Sequence, residues 1–315
     1  MFDAIVAPQD IASDALAGLR ATPKTLPSKL FYDPEGVRLF DAITRLPEYY
    51  LTRTERGLLE QVAPQIVALA PPGAALVEYG ASDEAKAQLL LHAAGAAFGA
   101  YVPIDVALGA LEALSARMAY SEPDLQILPV CADFLRRPAL PRALADRPCF
   151  GFFPGSTIGN LEPSVARRFL ADARDTLGSG AWMVVGVDLR KDPGRLLPAY
   201  DDAAGVTAAF NLNMLRHLNR EAAADFALDR FAHRALWNDA ESRIEMHLES
   251  LCRQTVTVAG YPVHFAPGET IHTENSYKHG LAAFQALARE AGWQADRVWT
   301  DKDALFTIHA LHNPR

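Results

Sequence analysis

A glycine and two acidic residues follow apolar runs of the sequence, in positions where they could bind a nucleoside. Gly80 follows the first run, Asp105 lies near the end of the second, and Asp133 with Phe134 follows the third. Glycine admits a ligand close to the backbone because it has no Cβ. A carboxylate at a strand end can accept hydrogen bonds from both hydroxyls of a ribose. The second carboxylate could accept from an adenine amino group while the aromatic ring packs on the base.

Each of these residues also has a plain structural explanation. Gly80 could be an ordinary loop glycine, and Asp133 could be a cap or turn residue. A helix N-cap role fits Asp105 poorly, because Val106 and Ala107 intervene before the next helical pattern. With one glycine in the first loop, the G-x-G-x-x-G signature of dinucleotide sites is not met. The three positions together favour a nucleoside ligand, and both nicotinamide cofactors and S-adenosylmethionine contain one.

The elements that would position these residues alternate between strand and helix patterns. The predicted strands are residues 75–79, 101–106, 125–130, 149–153 and 182–189, and the predicted helices are residues 55–70, 83–94, 108–120 and 163–177. Such alternation predicts a parallel, doubly wound α/β sheet. A last helix over 281–291 precedes apolar runs at 297–299 and 305–311. This ending predicts a C-terminal antiparallel hairpin, which is typical of methyltransferases and not of dehydrogenases.

The alternation stops between residues 192 and 278, which predicts a second domain. Helical patterns occupy residues 200–221, and runs at 245–251, 255–258 and 262–265 favour antiparallel strands. We expect an α/β, Rossmann-like methyltransferase sheet with a C-terminal antiparallel hairpin, plus a second α+β domain. The predicted cofactor-binding domain is 61–193 with 280–315, and the predicted substrate-binding domain is 8–60 with 194–279. Ligands commonly bind in clefts between domains and at the carboxyl ends of parallel strands.

Two polar segments are further candidates for binding. Residues 153–160 join two glycines to small polar side chains after the fourth strand, where a tight turn is the simpler explanation. Residues 270–278 concentrate polar side chains, and composition alone describes a solvated loop. His272 lies there without a second His, Cys or Asp at metal-ligand spacing, so no metal is implied.

Composition excludes several classes of function. The formal charge is −8, from 30 Lys and Arg against 38 Asp and Glu, and no basic stripe for a nucleic-acid backbone is present. Three cysteines without a C-x-x-C pair favour free thiols in a reducing compartment. The first ten residues do not fit a signal peptide, and no run of about 18 apolar residues suggests a membrane span. We expect a cytoplasmic monomer that acts on a small molecule and binds neither nucleic acid nor membrane.

The chain closely resembles the histidine-specific Nα-methyltransferase family of ergothioneine biosynthesis. The matching runs are Pro23–Pro27, Phe31–Asp33, Ile43–Tyr50, Gly155–Asn160, Tyr200–Asn211 and Arg243–Met246. They span most of the chain from about residue 20. The resemblance implies a methyltransferase domain that uses S-adenosylmethionine and an amino-acid-binding domain built from the N-terminal segment and the insertion.

The resemblance also implies roles for individual residues. The positions that match the family's cofactor contacts are Gly80, Lys86, Asp105, Asp133 and Phe134. The positions that match its substrate contacts are Tyr32, Thr157, Asn160, Tyr200, Met246, Glu274 and Ser276. Among these, Asn160 and Tyr200 would hold the substrate carboxylate, and Glu274 with Ser276 would hydrogen-bond the imidazole. Met246 would pack beside that ring, and Tyr32, the expected catalytic residue, would orient the amine.

The activity implied is methyl transfer from S-adenosylmethionine to the α-amine of L-histidine, up to the trimethylated betaine hercynine, as the first step of ergothioneine biosynthesis. One departure from the family pattern is Ser82, where the family has a second glycine, so cofactor affinity is the property it puts in question. Two other functions are compatible with the sequence. One is a methyltransferase of the same fold that acts on another amino acid or amine, and the other is a non-catalytic binding homologue.

Overall fold

A computed structural model of the protein describes residues 11–81, 83–95 and 97–314. Within these ranges the α-helices are α1 (Ile11–Leu19), α2 (Pro34–Thr44), α3 (Tyr50–Val67), α4 (Ala85–Ala94), α5 (Leu108–Ser121), α6 (Pro163–Leu177), α7 (Pro193–Leu196), α8 (Val206–Glu221) and α9 (Leu281–Glu290). Every helix within these ranges is too short or too polar to cross a membrane.

The strands of the described residues are numbered in chain order. They are β1 (Lys24–Thr25), β2 (Ala74–Tyr79), β3 (Phe98–Asp105), β4 (Gln126–Ile127), β5 (Val130–Cys131), β6 (Cys149–Phe153), β7 (Trp182–Asp188), β8 (Phe231–Asn238), β9 (Arg243–Ser250), β10 (Gln254–Val258), β11 (Tyr261–Phe265), β12 (Thr270–Tyr277), β13 (Gln294–Thr300) and β14 (Phe306–His312). They form two larger sheets and one hairpin.

The chain divides into two compact units, each made of more than one segment. Residues 51–190 and 278–314 belong to the first unit, and residues 11–50 and 191–277 belong to the second. The functions that the sequence assigns to the two domains stay predictions.

The first unit is built on a sheet with the strand order β13-β14-β7-β6-β2-β3-β4, in which β5 also pairs with β3. Strands β7, β6, β2, β3, β4 and β5 run parallel to their neighbours among themselves. Strand β14 is antiparallel to both β7 and β13. This sheet confirms the predicted α/β fold class with its C-terminal antiparallel hairpin.

Alternate residues of the central strand β2 pack on opposite faces of this sheet. Val77 belongs to a core that includes Phe169 of α6, whereas Leu76 belongs to a core that includes Leu59 of α3 and Leu90 of α4. A strand covered on both faces must be apolar on both, and every residue of β2 is buried. The carboxyl ends of β2, β3 and β6 are thereby held at one rigid edge.

The second unit combines a four-stranded sheet, in the order β1-β12-β9-β8, with the β10-β11 hairpin. The long pairings β8-β9 and β9-β12 are antiparallel, and the short β1 is parallel to β12. Helix α8 belongs to the same unit, where Phe210 stacks on Phe31 with ring centroids 4.4 Å apart. The N-terminal segment and the later segment therefore share one core.

Two local predictions differ from the structure. The third strand, predicted over 125–130, is divided into β4 and β5, with Leu128 and Pro129 between them. Proline has no backbone N–H to donate to a sheet, which accounts for the interruption. The polar segment 270–278, described from composition as a loop, forms strand β12, in which Ile271 and Ser276 are buried. Its polar side chains masked the strand pattern.

Candidate active site

The loop after β2 brings Gly80 next to Phe134. The Gly80 backbone has φ +75°, a conformation that other residues adopt at a cost, and its N–H donates to the carbonyl of Ile104 at 2.8 Å. A Cβ placed on Gly80 would lie 3.8 Å from the Cε1 atom of Phe134, and no further atom of the described residues beyond its chain neighbours comes within 4 Å. As far as the described residues show, the backbone at this turn faces open space beside an aromatic ring.

Asp105 and Asp133 lie at the ends of neighbouring strands, as the sequence predicted. Asp105 ends β3 and pairs in register with Cys131, the last residue of β5. The amide of Ala132 donates to the Asp105 carbonyl at 2.9 Å, so Asp133 follows directly beside it. The two carboxylates thus come from one edge of the sheet.

Both carboxylates also hydrogen-bond to the backbone. Asp105 Oδ1 accepts from the amide of Ala107 at 2.8 Å, although the following helix begins only at Leu108. Asp133 Oδ1 accepts from the amide of Leu135 at 2.9 Å and caps a short 3₁₀-helix. Burial raises the pKa of Asp105, against the hydrogen bonds from the backbone. The second oxygen of Asp133 lies 3.6 Å from Nε of the exposed Arg136, at the range of a weak ion pair.

Phe134 is half-buried and rests on two other aromatic rings. Its ring lies edge-on to Phe153 and to Phe169, with centroids 5.5 and 5.4 Å away. Those two rings belong to the packed core, so Phe134 is supported on one side by buried aromatic surface.

Lys86, on α4, pairs with a carboxylate that the sequence analysis did not identify. Its Nζ lies 2.6 Å from Oε2 of Glu55, a residue of α3 that is 1% exposed. The amide of Gly155 donates to both oxygens of Glu55, at 2.7 and 2.9 Å. A Cβ on Gly155 would lie 3.3 Å from Lys86 Nζ. One buried carboxylate therefore holds both the lysine and the loop after β6.

The charge of Lys86 is maintained by this pairing. Burial opposes the ammonium form, but the Glu55 carboxylate more than compensates, and the pKa of Lys86 is raised. A sequence signal for Glu55 exists in retrospect. It occupies the apolar stripe of α3, where Leu51, Leu58 and Leu59 are buried, and a lone charge on such a face needs a partner.

A second buried carboxylate, Glu78, lies on β2, two residues before Gly80. It accepts a hydrogen bond from the hydroxyl of Tyr101. Burial raises the pKa of Glu78 from 4.5 to about 8, despite that hydrogen bond and the attraction of Lys86. Glu78 is therefore mostly protonated at neutral pH.

Thr157 and Asn160 begin and end a 3₁₀-helix after β6, in the first unit. The Thr157 hydroxyl donates to the carbonyl of Pro154 at 2.9 Å. Ser156 takes a left-handed conformation with φ +54°, and its hydroxyl accepts from the amide of Asp188 at 2.9 Å. The segment 153–160, for which a tight turn was the simpler prediction, is thus hydrogen-bonded to the end of β7.

The second unit contains the other predicted substrate residues. Tyr200 and Ser276 are both buried and share a hydrogen bond of 2.8 Å between their hydroxyl groups. The ring of Tyr49 lies edge-on to Tyr200, with centroids 6.3 Å apart. This contact fixes the tyrosine against strand β12.

Met246 and Glu274 are directly opposite each other on β9 and β12. Ser276 is two residues beyond Glu274, so its side chain lies on the same face of the sheet. Met246 is buried and Glu274 is half-buried. One sheet face therefore presents an apolar thioether, a carboxylate and a hydroxyl side by side.

Tyr32 lies at the C-terminal end of a short 3₁₀-helix and packs among aromatic rings. Its ring is edge-on to Phe40 and to Phe210, each with centroids 6.2 Å away. Phe40 in turn contacts Tyr49, which contacts Tyr200. A continuous series of aromatic rings thus connects Tyr32 with Tyr200 inside the second unit.

A family model described as "Histidine-specific methyltransferase, SAM-dependent" matches residues 11–313. The chain belongs to this family. A histidine N-alpha-methyltransferase of Mycolicibacterium smegmatis is 45% identical over 310 residues, which cover 96% of this chain and 94% of the relative. The protein of that name in Mycobacterium tuberculosis is 42% identical over 300 residues, covering 94% and 92%.

Solved structures agree on the fold. An S-adenosylmethionine-dependent methyltransferase from Clostridium acetobutylicum superposes with a TM-score of 0.51, over 88% of this chain and 99% of that chain, at 8% sequence identity. The histidine-specific methyltransferase family uses S-adenosylmethionine as its cofactor, so this chain is an S-adenosylmethionine-dependent methyltransferase. The predicted family and cofactor are confirmed.

The residues of the first unit fit that cofactor. The glycine backbone at Gly80, the carboxylates of Asp105 and Asp133 at neighbouring strand ends, and the ring of Phe134 suit a group that carries a ribose and an adenine. The individual cofactor contacts stay predictions. Ser82, the position that departs from the family pattern, lies outside the described residues.

Proposed function

We propose that this protein transfers methyl groups from S-adenosylmethionine to the α-amine of L-histidine, up to the trimethylated betaine hercynine, and so catalyses the first step of ergothioneine biosynthesis. Membership of a histidine-specific family and the names of two relatives above 40% identity support the substrate. The number of methyl transfers and the place in the pathway rest on the resemblance of the sequence to the histidine-specific Nα-methyltransferase family.

The observation that carries the proposal is the face shared by Met246, Glu274 and Ser276 on the β9-β12 pair. An imidazole ring has one N–H donor and one acceptor nitrogen when neutral. A carboxylate can accept from its N–H, a hydroxyl can donate to its other nitrogen, and a thioether can pack on its flat surface. The hydroxyls of Ser276 and Tyr200 share one hydrogen bond, and in this proposal that bond opens so that Ser276 can donate to the ring and Tyr200 to the carboxylate. This set of groups fits histidine better than an apolar amino acid.

The chemistry asked of the protein is mainly alignment. When bound, the cofactor would supply an electrophilic methyl group, whose bond to sulfur would break, with the thioether as leaving group, as the amine lone pair forms the N–C bond. The amine must first lose its proton, and α-amines of chain termini titrate near about 8 while those of free amino acids titrate higher. Holding two reactants in line contributes roughly 7–11 kcal/mol to such a step. In this proposal Tyr32 hydrogen-bonds the amine and orients it, while Asn160 and Tyr200 hold the carboxylate.

Mass spectrometry tests the proposal directly. Purified protein is incubated with S-adenosylmethionine and each of the twenty amino acids, and the products are measured over time. We expect histidine alone to gain one, two and finally three methyl groups. Accumulation of a monomethylated product would contradict the trimethylation. Methylation of another amino acid, or the absence of any product despite cofactor binding, would contradict the substrate.

A further inference from the structure

Strand pairing in the second unit assembles a cluster that sequence spacing did not reveal. Glu245 and His247 lie on β9, and His272 lies on β12, so the two histidines are 25 positions apart in the chain. One donor atom of each side chain lies within 4.8 Å of the others. We propose that Glu245, His247 and His272 bind a divalent first-row transition-metal ion. This inference is independent of the proposed function.

The distances suit coordination by one ion. Zinc–nitrogen and zinc–oxygen bonds of about 2.0–2.2 Å place the ligand atoms of a tetrahedral site about 3.4 Å from each other. The Nε2 atom of His247 lies 3.2 Å from Oε2 of Glu245. The imidazole of His272 stacks on that of His247, with centroids 4.7 Å apart and planes 15° from parallel. Separations of up to 4.8 Å between the donor atoms have to shorten to about 3.4 Å for one ion to bind all three.

The cluster occupies the face of the sheet opposite the proposed imidazole site. His272 pairs in register with His247, and Glu245 is two residues from His247, so all three side chains lie on one face. A register shift between His272 and Glu274 places Glu274 and Met246 on the other face. The two sites therefore share strands without sharing side chains.

The hydrogen bonds of the two imidazoles bear on which nitrogen atoms can act as ligands. Nε2 of His272 donates to the carbonyl of Glu274 at 3.1 Å, so Nδ1 is the acceptor nitrogen of that ring. His247 is 8% exposed, and its Nδ1 makes no hydrogen bond to any residue of the described ranges. Buried polar atoms without a partner are uncommon in native proteins.

The surrounding residues orient the carboxylate and leave one oxygen for the ion. Asn238 and Arg243 both donate to Oε1 of Glu245, at 2.9 and 2.7 Å, whereas Oε2 faces His247. Such outer contacts fix the first ligands in characterised metal sites. Arg234, opposite His247 on β8, is exposed and pairs with Glu249 at 2.6 Å. Its charge is therefore partly neutralised and directed into solvent.

The chemistry of the donors selects the class of ion. Imidazole nitrogen favours Zn²⁺, Cu²⁺, Ni²⁺ and Fe²⁺, whereas Ca²⁺ and Mg²⁺ require sets of oxygen ligands. With two imidazoles and one carboxylate, a fourth position is left for water. Glu245 and His272 are partly buried, and the Glu245 side chain keeps 14% of its surface exposed, which gives the ion a route from solvent.

Calorimetry with Zn²⁺ tests the site on the full chain after treatment with a chelator. We expect the wild-type protein to bind one ion per chain. The affinity should fall by at least about tenfold in H272Q and H247Q, since even outer-shell changes cost on the order of 10–100-fold. The matched control is H264Q, which removes an exposed histidine of β11 that bonds Thr255 and should leave the affinity unchanged. Absence of saturable binding, or equal affinity of wild type and H272Q, overturns the proposal.

Visible spectroscopy with Co²⁺ identifies the ligands independently of folding effects. The wild-type complex should show d–d absorption without a thiolate charge-transfer band, and H272Q should lose the d–d absorption while circular dichroism shows a folded chain. The free cysteines Cys131, Cys149 and Cys252 provide the competing explanation. A thiolate band, or an unchanged spectrum in H272Q, would place the ion elsewhere and refute the site.

Discussion

Glu274 is the residue whose side chain decides between histidine and other amino acids in the proposed reaction. Its carboxylate lies beside the buried Met246 on one sheet face, where a ring N–H would find an acceptor. We expect Glu274→Ala to weaken histidine binding by about 10–100-fold, because hydrogen bonds to charged groups contribute about 1.5–3 kcal/mol. Cofactor affinity should stay within about twofold. Calorimetric titration of each ligand separately measures both constants.

The matched control for Glu274 is Glu249→Ala. Glu249 belongs to β9 and pairs with the exposed Arg234, so its removal should leave both affinities unchanged. Equal losses of histidine and cofactor affinity in Glu274→Ala would contradict a role in substrate recognition. A loss in histidine affinity shared by Glu249→Ala would point to a general disturbance of the sheet.

Sequence patterns predicted the strand-end residues better than the pairings between distant residues. Asp105 and Asp133 follow their strands as expected, because apolar runs define where a strand ends. The partnership of Glu55 with Gly155 spans 100 residues, and neither residue indicates the other in the sequence. His247 and His272 meet only through the register of two antiparallel strands. Such contacts are properties of the sheet and not of any local window.

Helix α3 does more than pack against the sheet, because one of its side chains binds the loop after β6. Glu55 on this helix binds both the amide of Gly155 and the ammonium of Lys86. Removing one member of a buried ion pair leaves an uncompensated charge and costs about 3–5 kcal/mol. We therefore expect Glu55→Ala to lower the free energy of unfolding by about that amount, measured by urea denaturation.

The same helix supplies the control for Glu55. Glu60 pairs with Arg56 at 3.0 Å on the exposed side of α3, at helical i,i+4 spacing. Glu60→Ala should cost no more than about 0.5 kcal/mol, as is usual for exposed pairs of this kind. Comparable losses in the two variants would show that helix propensity, and not the buried pairing, determines the effect.

The elements themselves were predictable to the extent that their apolar patterns were unbroken. Strand β6 and helix α6 have the predicted bounds. A run of five buried residues defines the strand, and a regular stripe of buried residues defines the helix. Strand β8 was not predicted, because its exposed and half-buried residues carry Arg and Asn among apolar ones. Strand β12 was hidden for the same reason. Both pair with β9, and that pairing stabilises them despite weak patterns.

Considered as a whole molecule, the chain builds each of its two units from separate segments. The loss of strand–helix alternation after residue 192 indicated that a second body is present. In this second unit Phe31 stacks on Phe210, which lies 179 positions later in the chain. Neither segment of the sequence indicates that contact. The fold class was therefore predictable from local patterns, whereas the composition of each core depends on long-range contacts.

The pH dependence of the stability of the whole chain should report on Glu78. Burial raises its pKa from 4.5 to about 8, so the folded state binds a proton that the unfolded state has released at intermediate pH. The free energy of unfolding then falls as pH rises between these values, by up to about 1.4 kcal/mol per pH unit. Above about pH 8 this contribution no longer changes.

Buried histidines act in the opposite direction, which determines how the measurement is read. Burial lowers the pKa of His279 and of His309 from 6.5 to about 4 and also lowers that of His233 and His247, so these rings increase stability as pH rises through the unfolded value of 6.5. They contribute equally to the wild type and to Glu78→Gln, so the difference in stability between the two proteins isolates the carboxyl group. We expect the stability of the wild type relative to Glu78→Gln, which keeps a neutral partner for Tyr101, to fall between pH 6.5 and 8. Parallel curves for the two proteins in urea denaturation would show that Glu78 is ionised in the folded chain.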